Sequence, residues 1–368
     1  MHKHHKFSTG LVISILIALI IICVGIFSHI LFRDKAEEKK TYKVALITNS
    51  SDIDDNSFNQ FAYEGISEYC DKNNISYTYY KSADDSVESN LSIVDEAVKN
   101  GAELIVCADS QLNETVYQAQ DRYSDVNFIL VDSEPANNDG SITQTNSNVT
   151  SLLFDDDESG FLAGYCAVKC GYDSLSVLYN TDNYTELHYY YGFVQGANYA
   201  ASQEDITVEL ESRNIAHAKK SYPLRYVKKA IKSGTDVIFV CNKDLSETIN
   251  EYALKHNGLL INVGINLSDS KAVAGSVIKS IKGAVYTSVK SYFSGKFEGG
   301  NSITLSSVND AINFIPNTDI IKDFPEDDYK KMYKHLADDS ISIISDTTVD
   351  LDDLGLENIK HDDMTPKN

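Results

Sequence analysis

A short polar run after the first apolar segment holds the residue types best suited to binding chemistry. Residues 52–60 have the sequence Asp-Ile-Asp-Asp-Asn-Ser-Phe-Asn-Gln and come just after the apolar segment Val44–Thr48. Ser57 and Gln60 have the spacing of a capping box, which predicts that a helix begins here with its free backbone N–H groups at the end of a strand. The carboxylates of this run could contact a ligand or could merely complement the helix dipole, and both interpretations stay open.

Phe58, within this run, is the aromatic side chain that most suggests a small-molecule site. A ring at the mouth of a sheet offers a flat apolar face on which a base can stack. Packing in the core of the fold is an equally good interpretation of the same residue.

Motifs that indicate catalysis are missing from the sequence. It contains no Gly-x-Gly-x-x-Gly after a predicted strand, no Gly-x-x-x-x-Gly-Lys, no His-Glu-x-x-His and no Gly-x-Ser-x-Gly. The acidic run Asp155–Glu158 could bind a cation or cap the helix that follows it. Cys166 and Cys170, one helical turn apart, are too few for a zinc site. We therefore predict no catalytic residue, no cofactor and no metal.

The chain is strongly acidic, which excludes one class of partner. It has 32 Lys and Arg against 54 Asp and Glu, a net charge of −22 at pH 7. Residues 1–32 contribute two Lys and no acidic residue, so the remainder carries 30 − 54 = −24. Such a surface repels nucleic acid, and we expect no nucleic-acid partner.

An apolar segment near the N-terminus predicts a membrane anchor. Leu11–Phe32 contains no Asp, Glu, Lys or Arg, and at about 1.5 Å per residue a helix of this length crosses a bilayer core. A cleaved signal peptide is the alternative, but its apolar region is normally about 7–15 residues long. We expect a single transmembrane helix within residues 1–32, a charged linker over 33–40, and an ectodomain outside the cell membrane.

Apolar segments and helix-like segments alternate along the rest of the chain. The pattern runs from Val44 to Val131 and begins again after Phe154. This alternation predicts parallel sheets covered by helices, and the 336 residues left after the anchor (368 − 32) exceed what one core normally supports. The predicted fold class is α/β, with two doubly wound, Rossmann-like lobes in tandem.

The lobe boundaries follow from where the pattern restarts. Lobe 1 is predicted over residues 41–153 and lobe 2 over residues 154–271. Residues 272–300 come after lobe 2 has used its own strands, so they are expected to complete lobe 1, and residues 301–345 to complete lobe 2. Repeated crossings of this kind would form a hinge. The acidic tail, residues 346–368, is expected to stay solvated.

Eight short motifs follow one another in a recognisable order. They are Val44–Thr48, Asp52–Gln60, Phe128–Asp132, Gly160–Tyr165, Gly192–Ala200, Gly234–Phe239, Ser276–Lys279 and Gly295–Gly300. In this order they resemble the basic membrane protein family of ABC transporter solute-binding proteins, which includes purine nucleoside receptors. The resemblance covers most of residues 42–315. It implies a type I periplasmic-binding-protein fold that captures a nucleoside between its lobes and delivers it to an ABC permease.

The resemblance also implies a ligand site. Its predicted residues are Asn49, Phe58, Asn59, Asp132, Asn266 and Lys279. Phe58 matches the aromatic that stacks on the purine, Asp132 an acidic position at a strand end, and Lys279 a lysine near the ribose. Asn49 stands where the family has an aspartate, which keeps a hydrogen-bond acceptor but loses its charge.

Other positions depart from the family pattern. A glycine-rich segment is replaced by Val240–Leu245, and an acidic pair appears as Gly264 and Asn266. A second stacking aromatic is absent near Arg213. A sensory or regulatory ectodomain on the same fold is therefore the alternative function, in which another protein detects closure of the lobes.

Overall fold

The computed structural model describes residues 18, 20–24 and 41–363 of the 368 residues. Most of the predicted anchor and the whole predicted linker therefore lie outside the described residues. Within the described ranges, no helix combines the length and the apolar character needed to span a bilayer. The chain divides into two units after Thr41, and the fold below is that of the unit that begins at Tyr42.

The first lobe is built on a six-stranded sheet in which all neighbouring strands are parallel. In spatial order its strands are β11 (Asn301–Leu305), β5 (Val149–Phe154), β4 (Asn127–Val131), β3 (Leu104–Cys107), β1 (Val44–Thr48) and β2 (Tyr77–Lys81). Its helices are α1 (Phe58–Asn73), α2 (Val87–Lys99), α3 (Asn113–Arg122) and α8 (Ile281–Phe293). Side chains of β1 alternate between two apolar clusters, Val44 and Leu46 in one and Ala45 and Ile47 in the other, so the sheet is buried on both faces.

The second lobe is built on a seven-stranded sheet. In spatial order its strands are β12 (Ile312–Pro316), β10 (Val273–Lys279), β9 (Leu260–Val263), β8 (Val237–Val240), β6 (Ser174–Tyr179), β7 (Val208–Asn214) and β13 (Ile359–Asp363). Its helices are α4 (Asp156–Lys169), α5 (Tyr184–Glu204), α6 (Tyr222–Ser233), α7 (Lys243–His256) and α9 (Glu326–Ala337). All neighbouring strands are parallel except β10 and β12, which are antiparallel. The predicted α/β fold with two mostly parallel sheets is confirmed.

Strands β10 and β11 do not join the sheets predicted for them. β10 was expected to return to lobe 1 but pairs with β9 and β12 in the second sheet, while β11 was expected in lobe 2 but pairs with β5 in the first. The strands differ in burial: β10 is buried at all but one residue and suits the interior of a sheet, whereas β11 is exposed or half-buried and suits an edge. Periodicity predicts a strand without showing which sheet it will join.

Helices α4 and α5 touch backbone to backbone through four glycines. A Cβ atom on Gly164 would lie 2.0 Å from the Phe193 carbonyl oxygen, and one on Gly196 would lie 2.0 Å from the Phe161 carbonyl oxygen. Gly160 and Gly192 make the corresponding contacts one turn away, at 2.2 and 2.1 Å. These distances leave no room for any side chain. Because both helices begin at the cleft described below, this contact fixes how their first turns face each other.

The acidic tail is not solvated as predicted. Ile359–Asp363 adds the parallel strand β13 to the edge strand β7, and four apolar side chains of the tail pack on the core of the second lobe: Leu351, Leu354, Leu356 and Ile359. The tail is also held by polar contacts, since the Tyr191 hydroxyl donates to the Val349 carbonyl oxygen at 2.9 Å. The prediction of a solvated tail was based on its acidity and its few aromatic residues. It overlooked the aliphatic residues between the acidic ones, and these pack on the apolar surface of the second lobe.

Glycine 164 supplies a test of the helix contact. Gly164→Ala should reduce the free energy of unfolding by about 1–3 kcal/mol or more, because the two backbones must separate. Gly283→Ala is the matched control, since a Cβ there meets no atom within 4 Å, and alanine should stabilise that helix by about 0.5–1 kcal/mol. Urea denaturation of both variants measures the difference. Equal effects of the two substitutions would refute the close packing.

Truncation after Ser345 tests the docking of the tail. Losing β13 and its apolar contacts should cost at least about 1 kcal/mol of unfolding free energy, which lowers the melting temperature of a large domain by about 2–4 °C. Lys360→Ala, which removes only an exposed ion pair with Glu209, should have almost no effect. Unchanged melting of the truncated protein would mean that the tail contributes nothing to the lobe.

Candidate functional site

A cavity of about 1090 Å³ lies between the two sheets. Its lining includes Phe58, Ser110 and Asp132 from the first lobe and Asp156, Lys243 and Lys279 from the second. Most of these residues directly follow or begin at the carboxyl ends of parallel strands, where doubly wound folds bind their ligands. The volume is suited to a small molecule.

Lys279, the last residue of β10, is the centre of the cavity's charge network. Its Nζ atom lies 2.6 Å from Asp132 Oδ1 and 2.8 Å from Asp156 Oδ1, and the residue is only 3 % exposed. The ammonium also lies 5.4 Å from the ring centroid of Phe154 and 5.5 Å from that of Tyr189. Asp132 follows β4 and Asp156 begins α4, so one lysine joins the two lobes.

The two carboxylates keep Lys279 charged in spite of its burial. Burial by itself would lower the pKa of this ammonium, but the charges of Asp132 and Asp156 outweigh it, and the pKa lies above its ordinary value. For Asp156 burial is the larger effect and raises its pKa to about 6, against the attraction of Lys279 and together with the repulsion of Asp132. One cation thus balances two carboxylates. Burial disfavours the ionised form of Asp156 in particular.

Phe58, the first residue of α1, also lines the cavity, and a lysine covers its ring. The residue is 3 % exposed and packs in the apolar cluster of lobe 1 while also lining the cavity. The Nζ atom of Lys243, at the start of α7, lies 4.1 Å from the centroid of its ring and forms an ion pair with Asp109. This ion pair and a 3.5 Å hydrogen bond from Ser57 Oγ to the Gly264 carbonyl oxygen hold the two lobes together.

Glu186 on α5 is a buried carboxylate of the cavity wall that forms no ion pair with another described residue. It is 2 % exposed, and its Oε1 atom accepts a 2.6 Å hydrogen bond from Asn242 Nδ2. Within the described residues Oε2 has no partner in normal hydrogen-bond geometry. Burial raises the pKa of Glu186 to about 7, although hydrogen bonding from Asn242 and the Asn180 backbone lowers it.

A histidine and a tyrosine complete the second-lobe wall. His188 Nδ1 lies 2.8 Å from Asp157 Oδ2. Burial opposes the imidazolium, but the hydrogen bond and charge of Asp157 outweigh it, so the pKa of His188 lies above its ordinary value. The Tyr184 ring lies 4.0 Å from the His188 ring and is 75 % exposed at the cavity. This tyrosine is an aromatic surface that the sequence pattern did not single out.

The predicted site residues separate into two groups. Phe58, Asp132 and Lys279 line the cavity, whereas Asn49, Asn59 and Asn266 are not among the lining residues. The amide oxygen of Asn49 accepts hydrogen bonds from the Ser51 backbone at 2.9 Å and from Asn59 Nδ2 at 3.3 Å. Asn266 Oδ1 accepts from the Ser268 backbone. These hydrogen bonds order the loops that follow β1 and β9.

Local capping differs from the prediction. Ser57 makes no side-chain cap; Asp55 Oδ1 instead accepts from the backbone N–H groups of Ser57 and Gln60 at 2.8 and 3.1 Å. The prediction of a capping box is therefore wrong, because Asp55 accepts the hydrogen bonds of the Ser57 and Gln60 backbone N–H groups that the box would have satisfied. In the run Asp155–Glu158 only the first residue caps α4, with Asp155 Oδ1 accepting from Glu158 N at 2.9 Å.

Among the lining residues that sequence reasoning missed, four carry the charged contacts described above: Asp156, Glu186, His188 and Lys243. Asp156 sat in a run interpreted as either a cation site or a cap, and it acts instead as the partner of a lysine 123 residues later (279 − 156). Lys243 lies in the segment that replaces the family's glycine-rich loop, and that departure was the available signal.

The protein has two lobes, each built on a sheet of mostly parallel strands, with a polar cavity at the strand ends between them. This arrangement is that of two-lobed ligand-binding proteins. The fold is similar to a solute-binding protein of an ABC transporter system from Conexibacter woesei DSM 14684, with a TM-score of 0.65 and 15% identity over 83% of this chain and 99% of that chain. It is also similar to solute-binding proteins of an ABC transporter system from Aeropyrum pernix K1, with a TM-score of 0.63 and 16% identity over 84% and 95% of the two chains.

Residues 42–347 match the family described as ABC transporter substrate-binding protein PnrA-like. The chain belongs to this family, which confirms the resemblance found in the sequence. A curated relative, the ABC transporter nucleoside-binding protein BmpA of Lactococcus lactis subsp. cremoris (strain MG1363), is 24% identical over 82% of this chain and 89% of its own length.

Lys279→Met tests the central ion-pair network. The substitution leaves two buried carboxylates without their cation and should cost about 3–5 kcal/mol of unfolding free energy at pH 8. The folded-state pKa of Asp156 already lies above its ordinary value of 3.8, so its ionisation opposes folding as the pH rises from about 4 to 6. Loss of Lys279 raises that pKa further, and protonation at pH 5.5 should make the cost smaller.

Denaturant unfolding at the two pH values measures this difference. The exposed Lys255 is a matched control, because Lys255→Met should cost less than about 0.5 kcal/mol at either pH. A Lys279→Met cost that is small, or equal at both pH values, would show that the network does not carry the stability assigned to it.

Proposed function

We propose that this protein captures a nucleoside between its lobes and presents the closed form to an ABC permease. The observation that carries the proposal is the position of Phe58: the aromatic that the family resemblance implies for base stacking does line the cavity between the sheets. The nucleoside-binding relative covers most of the chain and supports the same ligand class.

The charges of the cavity favour an uncharged ligand over its phosphorylated form. Eight carboxylic acids line the cavity: Asp132, Glu134, Asp155, Asp156, Asp157, Asp182, Glu186 and Asp244. The two lining lysines are already paired, Lys279 with Asp132 and Asp156, and Lys243 with Asp109. A phosphate would therefore meet a negative wall whose cations are engaged, whereas ribose hydroxyls can donate to the same carboxylates.

Transport requires that the ligand favour the closed state. A ligand that binds both lobes stabilises closure only by its differential affinity for that state. Contacts from Phe58 in one lobe and Glu186 or Lys279 in the other satisfy this requirement, because no open form can make them together. The N-terminal apolar segment would tether the protein at the outer face of the membrane and raise its local concentration near the permease.

The cavity is proposed to bind its ligand without transforming it. The only histidine of the described lining is His188, which bonds to Asp157 and lies 4.0 Å from the Tyr184 ring at a tilt of 43°. That arrangement gives a charged pair, and no serine or cysteine of the described residues forms a hydrogen bond with its ring. If nucleosides were cleaved on incubation, this part of the proposal would fail.

Phe58→Leu tests the proposal with the apolar volume largely kept. Loss of the stacking face should weaken nucleoside binding by about 1–3 kcal/mol, roughly 5–150-fold in Kd, as measured by calorimetric titration. Phe297→Leu is the matched control, since this half-buried ring packs in the same cluster and is not among the lining residues.

Phe58→Leu should lose at least as much stability as Phe297→Leu, because Phe58 is the more buried ring, but only Phe58→Leu should lose affinity. Equal affinity in Phe58→Leu, Phe297→Leu and the parent protein would remove Phe58 from the site. If the folded parent protein binds none of the common nucleosides, the transport proposal is wrong and the sensory alternative gains support.

A further inference from the structure

The first turn of α7 places a hydrogen-bond donor and an acceptor at neighbouring positions of the cavity wall. Asn242 Oδ1 accepts from the Leu245 backbone at 2.9 Å and caps this helix, while Asn242 Nδ2 holds the carboxylate of Glu186 at 2.6 Å. The next residue is Lys243. One capping asparagine therefore links the donor Lys243 to the acceptor Glu186, and all three residues line the cavity.

Lys243 occupies the surface on which a ligand ring would stack. Its ammonium lies 4.1 Å from the centroid of the Phe58 ring, a distance at which a cation and an aromatic face attract each other. A ring that stacks on Phe58 must displace the ammonium from that face. The stem of Lys243 starts at the helix end and passes Gly264, where a Cβ would lie 3.0 Å from Lys243 Cβ. The displaced ammonium consequently stays at the edge of the stacked ring.

An ammonium at a ring edge discriminates between acceptors and donors. Lysine offers three N–H donors and no acceptor, so a carbonyl oxygen at that edge replaces the partner the ammonium has lost. An amino group at the same position offers another donor, so the ammonium gains no acceptor in place of the ring face and keeps only its ion pair with Asp109.

Glu186 imposes the complementary requirement. Its carboxylate is 2 % exposed, and within the described residues Oε2 has no hydrogen-bond partner. Above its pKa of about 7, this buried carboxylate only accepts hydrogen bonds, so at pH 8 it gains most from a ligand N–H group and has no donor for an unprotonated ring nitrogen.

We infer that Lys243 and Glu186 are specificity-determining residues that select bases presenting a carbonyl oxygen next to a ring N–H. Inosine, guanosine and uridine have this lactam edge, whereas adenosine and cytidine present an amino group next to an unprotonated ring nitrogen. The inference rests on the proposed nucleoside function and adds to it the edge of the base that is recognised. Both residues are outside the set that the family resemblance implies.

Two matched ligand pairs test the selectivity with purified full-length protein. Inosine against adenosine compares two purines, and uridine against cytidine compares two pyrimidines, so ring size cancels within each pair. Calorimetric titration should give at least about tenfold tighter binding for the lactam member of each pair, the factor expected from one hydrogen bond to a charged group.

Substitution of Lys243 should alter the selectivity in a way that a merely structural residue would not. In Lys243→Met the ratio of the adenosine Kd to the inosine Kd should fall to within about threefold of one, partly because adenosine binds more tightly once the competing ammonium is gone. Glu186→Gln should also reduce the ratio, and it remains informative if Lys243→Met does not fold. Lys255→Met, on the exposed side of the same helix, should leave the ratio unchanged.

The outcomes separate this inference from the function on which it rests. Equal or reversed preference within both pairs would overturn the inference and leave nucleoside capture standing. An unchanged ratio in both cavity variants would overturn the assignment to these residues. Failure of all four nucleosides to bind the folded parent protein would refute both proposals.

Discussion

The buried ammonium of Lys279 holds the ligand cavity together. It lies within 2.8 Å of carboxylates from two lobes, and at this depth the charges of Lys279 and Asp156 would each be unfavourable without a charged partner. Asp132, at the end of β4, has a φ of 64°, a left-handed conformation that few residue types adopt readily. The backbone at this strand end is thus set to direct a carboxylate to the lysine, and the relative position of the two sheets follows from the same contact.

The rest of the site depends on how closely two helices can approach. Asp156 and Asp157 begin α4, while Glu186 and His188 lie in the first turns of α5. The glycine contacts between these helices leave no space for a methyl group, so their first turns keep one spacing. That spacing brings Asp157 to His188 at 2.8 Å and leaves the Glu186 carboxylate in the wall. The close packing of the two helix backbones therefore sets the positions of the charged side chains in the cavity wall.

The cavity differs from the family pattern mainly at the start of α7. Where the resemblance implies a glycine-rich segment, this chain has a capping asparagine and a lysine that covers the stacking face of Phe58. Each described cation of the cavity wall has a carboxylate partner, and Glu186 is held by an amide. In the proposed function, a ligand would enter a site in which charges are already paired and would compete with Lys243 for the aromatic face of Phe58. Lys243 would then act in both processes, because it pairs with Asp109 of the other lobe and covers the ring on which the ligand would stack.

The sequence by itself indicated the α/β class, the family and three residues that line the cavity, Phe58, Asp132 and Lys279, because apolar periodicity and short motifs are local properties of the chain. Tertiary structure decided which sheet β10 and β11 join, since a strand pattern does not name its neighbours. It also decided that the acidic tail docks, because burial of its few leucines requires a surface formed by α5 and β7. The pairing of Lys279 with Asp156, and of Lys243 with Asp109, joins residues more than 100 positions apart. Such contacts depend on the fold as a whole, and no spacing in the sequence records them.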